Sequence, residues 1–190
     1  MKSIKDKVIT YTVDGKDKPV VVKRDLEEQI PYIKKHNLKH VEYAQKSVQE
    51  IFSKEDIQQS LVKVFNFSSS IVAYNNGNGQ FEIQKLPAMA QFSNVQAIQS
   101  YDINMDGKLD LLLGGNNFNY APQYERLDAS FGDILINKGS RKGFEFQDET
   151  KTGLIIKGQV KDIKSIHTGN KDVMLYLINN EKPKLYQLNR

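Results

Sequence analysis

Apolar residues along the chain fall in short, mostly alternating runs, and the period turns helical over one stretch only. Val8-Ile9-Thr10-Tyr11-Thr12-Val13 is rich in β-branched residues and reads as a strand. Asp14-Gly15 is a strong turn signal. Pro19 to Lys23 reads as the return strand, so residues 4–23 predict a hairpin. At Arg24 the pattern changes. Asp25 can cap a short helix over 26–30, with Glu27 and Glu28 in its first turn, where the helix dipole favours acids. Pro31 interrupts it and opens a further turn through Lys35. Val41, Ala44, Val48, Ile51 and Phe52 keep helical spacing, which predicts an amphipathic helix over 40–52. Ser53, with Asp56 three residues on, resembles a capping box for a helix over 54–60.

From Leu61 the β pattern returns. Val62–Phe67 and Ser70–Tyr74 have strand composition. Asn75-Asn76-Gly77-Asn78-Gly79 is a tight turn, and Phe81-Glu82-Ile83-Gln84 alternates as the strand that follows. Further short strands are predicted at Val95–Ser100, Leu111–Leu113, Asp133–Asn137, Gly143–Gln147, Gly158–Ile166, Val173–Ile178 and Pro183–Leu188. The organisation that results is a partial blade or hairpin over 1–23, a small helical insert over 24–60, a β unit over 61–116, a long loop over 117–131 and a second β unit over 132–190. The fold class is mainly β.

One stretch carries chemistry. Asp102, Asn104, Asp106 and Asp110 occupy positions 1, 3, 5 and 9 of a loop, with Gly107 at position 6. Oxygen ligands on alternate residues, followed by a glycine that permits a sharp turn, suit a hard cation such as Ca²⁺. The Lys108 carbonyl at position 7 can face the same point, and Asp110 can close the shell. The first half of the loop matches the EF-hand pattern. The second half does not, because position 12 falls in the apolar run Leu111-Leu112-Leu113, which reads as a buried strand. The competing reading is an ordinary Asp/Asn/Gly turn with no metal. Three carboxylates within nine positions repel one another without a cation, which favours Ca²⁺.

Composition narrows the class. The 190 residues contain no cysteine, so a disulfide framework and a Cys-based zinc site are excluded. A net charge of +4 comes from lysines scattered along the whole chain, the pattern of a solvated surface; nucleic acid is not an expected partner. No stretch is long and apolar enough for a transmembrane segment, and no apolar run follows the basic start as a signal peptide requires.

Residues 133–180 set under 71–116 match in outline. Val72 to Gly77 falls against Ile134 to Gly139, Phe81 against Phe144, and Asp110-Leu111-Leu112-Leu113 against Asp172-Val173-Met174-Leu175. A third, partial copy opens the chain at Lys5-Asp6-Lys7-Val8-Ile9. Repetition of units of about four short strands is the signature of β-propeller blades. The ligands are not repeated: alignment on Asp172 puts Lys164, Ile166 and Thr168 at positions 1, 3 and 5. One Ca²⁺ site is therefore expected.

The pattern Asp-x-Asn-x-Asp-Gly-x-x-Asp before an apolar strand, with Asn-x-Gly-x-Gly-x-Phe in the preceding hairpin, resembles the FG-GAP/VCBS-type repeat of integrin α-chain propellers and secreted bacterial proteins. Arg24-Asp25-Leu26-x-x-Gln29-Ile30-Pro31, Gly114-Gly115-Asn116-Asn117, Arg126-Leu127-Asp128-Ala129-Ser130 and Lys157-Gly158-x-Val160-x-Asp162-Ile163 resemble the C-terminal part of large bacterial VCBS proteins related to cartilage acidic protein. The resemblance implies a partial β-propeller of about two blades and part of a third, with Ca²⁺ on Asp102, Asn104, Asp106, Lys108 (carbonyl) and Asp110. It implies an extracellular or cell-surface setting, associated with the outer membrane of a Gram-negative bacterium. It also implies completion by the remaining blades of a larger parent chain or by another protein chain.

Other candidates are weaker. His36 and His40 stand at a zinc-compatible spacing, but Asn37 interrupts the helix and no third ligand is evident; they read as surface residues, as does His167. The Asn/Gly run at 75–79 lacks a phosphate-loop ending, and Gly-x-Ser-x-Gly is not present. Phe118, Tyr120 and Tyr124 can stack on a sugar or a partner protein or pack between blades. Arg126 and Asp128 can pair to staple that long loop, which makes it the best candidate for a partner surface. Two functions follow as expectations. One is a non-catalytic, calcium-stabilised module that binds protein or glycan. The other is a polysaccharide hydrolase or lyase carried on the propeller; no carboxylate pair in the sequence singles itself out for it.

Overall fold

Two left-handed residues, Asp14 (φ 52°) and Gly15 (φ 73°), set the first hairpin. Positive φ at both central positions is a two-residue turn whose twist matches the strands, so pairing begins immediately on either side. The computed structural model describes residues 6–36, 39–120, 125–169 and 171–188. In it β1 (Thr10–Val13) pairs with β2 (Lys16–Pro19), Val13 opposite Lys16. The return strand thus starts three residues before the expected Pro19, because turn geometry sets the register and Lys16-Asp17-Lys18 carries no apolar pattern.

The chain divides into two compact units, Met1–Phe65 and Asn66–Arg190. In the first, the hairpin is followed by α1 (Lys23–Gln29), a 3₁₀ turn over Pro31–His36, α2 (His40–Gln45), α3 (Val48–Ile51) and α4 (Lys54–Gln59). Helix α1 begins three residues earlier than expected, after Val22, and Asp25 lies inside its first turn. Lys23 and Glu27, one turn apart, form a largely buried pair at 2.6 Å. The helix expected over 40–52 is two helices. Lys46 is extended, and the Ser47 N–H donates to Glu50 Oε2 at 2.6 Å, so a capping box restarts the chain and outweighs the continuous spacing. The second box is as expected, with Ser53 Oγ accepting the Asp56 N–H at 3.1 Å. Leu26, Ile33, Tyr43 and Ile51 form the core, with Val8, Val21, Ile30 and Phe52 packed on it.

Residues 62–67 are not the strand their composition predicts. Among the described residues they have no ladder partner, and Val62, Val64 and Phe65 are 73%, 79% and 94% exposed. A β-prone segment without a neighbouring edge has nothing to bond to.

The second unit is built of antiparallel sheets. β3 (Ile71–Gly77) pairs with β4 (Gln80–Lys85). After a 3₁₀ turn at Ala88–Gln91 come β5 (Val95–Tyr101), β6 (Asp110–Gly115), β7 (Asp133–Asn137) and β8 (Phe144–Gln147), a four-stranded meander in chain order. A short helix, α5 (Glu149–Thr152), leads to β9 (Val160–Thr168), β10 (Lys171–Ile178) and β11 (Lys184–Gln187), a three-stranded meander. The stretch 61–116 is therefore shared between two sheets, β3–β4 and the meander that begins at β5.

Alternation along β6 places its neighbours on opposite faces. Leu112, with Ala97 and Ile134, packs on Val160, Ile163, Met174 and Tyr176 of the three-stranded sheet. Leu113, with Leu135, joins Leu86 and Ala90 and is covered by Val72, Phe144 and Phe146. The meander is thus buried on both faces. Gly114 permits the first contact, since a Cβ there would collide with Val160. The hairpins β3–β4 and β7–β8 have like cross-strand pairs: Asn75–Phe81, Tyr74–Glu82 and Val72–Gln84 in one, Asn137–Phe144, Ile136–Glu145 and Ile134–Gln147 in the other. Among the described residues, no helix is long and apolar enough to cross a membrane.

Candidate functional site

The loop 102–109 joins β5 to β6. Left-handed Met105 (φ 56°) and Gly107 (φ 81°) coil it tightly, and that coil turns successive backbone N–H groups inward onto the side chains at alternate positions. Asp102 accepts the Asp106 N–H at 3.1 Å and the Gly107 N–H at 2.9 Å. Asn104 Oδ1 accepts the Asp106 N–H at 3.2 Å, and Asp106 Oδ1 accepts the Lys108 N–H at 3.0 Å. Asp106 Oδ2 is met by the Lys108 ammonium at 2.7 Å. Hydrogen bonding from Lys108 is the main reason that the Asp106 carboxyl is held below its ordinary range.

Asp110 opens β6 and is fully buried. Its two oxygens accept the N–H of Ile103 at 2.9 Å and the N–H of Asn137 at 2.8 Å. Asn137 answers by donating from Nδ2 to the Leu109 carbonyl at 3.0 Å. Asp110 thereby ties the loop to both β6 and β7. The sequence places Asp102, Asn104, Asp106 and Asp110 in one loop; the structure gathers the first three on the loop's own amides and sets Asp110 behind them. All are hard oxygen donors, the chemistry Ca²⁺ takes. No group of three or more His, Asp or Glu among the described residues is arranged as a metal-holding cluster. A cation at Asp106 has first to displace the Lys108 ammonium.

The second feature is the long loop after β6. Asn116, left-handed (φ 76°) and buried, uses its whole amide. Nδ2 donates to the carbonyls of Ser130 at 2.8 Å and Gly158 at 3.2 Å. Oδ1 accepts from the Ser130 N–H at 2.9 Å and Ser93 Oγ at 3.0 Å. Asn117 and Leu127 then exchange two backbone bonds of 2.8 and 2.9 Å, closing the loop at its base. Beyond this clasp the Arg126 guanidinium lies 4.8 Å over the Phe118 ring, and its Nε donates to Asp128 at 3.1 Å. Tyr120 is 46% exposed. Arg126 and Asp128 do pair, two residues apart on the returning arm of the loop; Tyr124 lies outside the described residues.

Sequence reasoning missed a half-buried carboxylate in the second unit. Asp133, at the start of β7, has its carboxyl pushed up to about 6 by burial and by Glu149. Tyr176 on β10 is fully buried, and its hydroxyl has no hydrogen-bond partner among the described residues. His36 and His40 are exposed. His167 lies at the end of β9, its Nδ1 2.6 Å from Asp172.

Compared with known proteins, the chain matches no family model, no curated protein and no solved structure.

Proposed function

We propose that this chain is a calcium-stabilised segment of a β-propeller acting as a non-catalytic binding module in an extracellular or cell-surface protein. The observation that carries the proposal is the 102–110 loop, in which oxygens at alternate positions are drawn inward and Asp106 is met by the chain's own Lys108 ammonium. Ca²⁺ would be held by Asp102, Asn104, Asp106 and the Lys108 carbonyl. Asp110 would complete the shell through lone pairs left by its two N–H bonds, and it fixes the loop to β7. The ion supplies charge neutralisation and rigidity, not reaction chemistry.

Three features support the propeller part. The β5–β8 meander has the order of a blade. The three-stranded sheet packs on one of its faces, and Leu86, Ala90 and Val72 of the preceding β3–β4 segment cover the other. The hairpins β3–β4 and β7–β8 carry like cross-strand pairs. The binding face proposed is the clasped loop with Phe118, Tyr120, Arg126 and Asp128, an aromatic and charged surface suited to a protein or glycan. Titration calorimetry with Ca²⁺ tests the metal: the proposal expects saturable binding at or below millimolar concentration, abolished in Asp106→Ala. Heats indistinguishable between the two proteins would refute it.

A further inference from the structure

The two similar hairpins differ in their neighbours. β7 bonds to β8 on one side and to β6 on the other, whereas β3 has β4 as its one ladder partner among the described residues. The Leu86 N–H donates to the Ser70 carbonyl at 3.0 Å. Ladder bonds alternate along a strand, so the backbone groups of Val72 and Tyr74 turn to β4, and those of Ile71, Ala73 and Asn75 turn to the open edge. Asn75 and Asn137 hold the same place in their hairpins. Each accepts from the N–H two residues on, Gly77 at 2.8 Å and Gly139 at 2.9 Å. At Asn137 the outward N–H is taken by the Asp110 carboxylate, and Nδ2 by the carbonyl before it. At Asn75 neither group has a counterpart among the described hydrogen bonds.

The faces differ in the same sense. Leu135 is fully buried, and Phe144 and Phe146 are packed in the core. Their counterparts Ala73, Phe81 and Ile83 are exposed, the last two at 57% and 58%. An apolar strand face with an unpaired edge is a template for strand addition.

We infer that the open edge of β3 accepts an antiparallel strand led by aspartate and followed by aliphatic residues, delivered by a second polypeptide chain. Its leading carboxylate accepts the Asn75 N–H, as Asp110 accepts that of Asn137, and the carbonyl before it takes Asn75 Nδ2. Its aliphatic residues continue the sheet beside Ile71 and Ala73, as Leu111 does beside Leu135. This deepens the propeller reading by naming what completes the β3–β4 sheet, and it does not depend on calcium.

The test adds in trans a synthetic peptide of this chain's own residues 95–115, the β5–β6 hairpin, to the full chain in EDTA, read by amide hydrogen exchange. Bound peptide slows exchange at Ile71, Ala73 and Asn75 and leaves Val72 and Tyr74 unchanged. An Asp110→Ala peptide binds about tenfold more weakly or worse, as befits loss of a charge-assisted hydrogen bond. An Ala73→Pro chain loses the edge N–H, keeps its melt as an edge proline should, and fails to bind. No protection of those three amides at about 1 mM peptide, the limit of weak specific binding, overturns the inference. Equal binding by the Asp110→Ala peptide does so too, even if the proline variant misfolds. Either failure leaves the calcium titration to stand or fall alone.

Discussion

At the scale of the residue, the carboxylates of the candidate loop divide into two kinds. Asp110 is buried, and both its oxygens satisfy backbone N–H groups. Asp110→Ala therefore leaves two part-buried donors unpaired and costs about 1–3 kcal/mol, read as a shift in the urea midpoint. Asp106 is solvent-facing, and without metal its truncation should barely move the same midpoint. Asp133 gives a pH signature. Its folded pKa, about 6, lies above its ordinary 3.8, so the folded state holds the proton longer. Stability from this group is full at low pH and is lost as pH rises through the interval between those values. Asp133→Asn should flatten that fall and raise the melting temperature at pH 7; an unchanged pH profile would contradict the assignment. The Asp106 loop was legible because its spacing is local. Asn116 was not, because its amide serves groups 14 and 42 residues away, a closure that no local pattern records.

At the scale of the element, short-range chemistry overrode periodicity twice. The turn at Asp14-Gly15 fixed the hairpin register ahead of the apolar run, and Ser47 split a helix that spacing alone made continuous. The strands of the second unit were legible because alternation and Asn/Gly turns agree there. α5 was missed, since Glu149-Thr150-Lys151-Thr152 has no apolar face to betray it. Composition misled at 20–23, which lie beyond the end of β2, and at 62–67, where strand propensity met no edge. Ser53→Ala removes a cap that accepts the Asp56 N–H and should cost about 1 kcal/mol, seen in the melt followed at 222 nm. Exposed backbone without hydrogen bonds is where proteases cut. Limited chymotrypsin digestion should cleave first beside Phe65 or Phe67; a first cut within β5–β8 would contradict the two-unit division.

At the scale of the whole molecule, the second unit buries one meander on both faces and leaves one hairpin open at its edge and on one face. Strand content was legible from the sequence. How the strands divide among sheets was not, because pairing between distant runs depends on register and packing, which the linear pattern does not encode. A structural ion at the β5–β6 loop would act on this unit through mass action, adding about 2.7 kcal/mol at a hundredfold excess over its dissociation constant. The most direct measurement is a thermal melt of the chain in millimolar Ca²⁺ and in EDTA, beside the Asp106→Ala variant. The account predicts a higher midpoint in Ca²⁺ for the parent chain and none of that rise in the variant. Coincident melts of the parent chain in Ca²⁺ and EDTA would contradict it and leave the loop a turn held by its own amides.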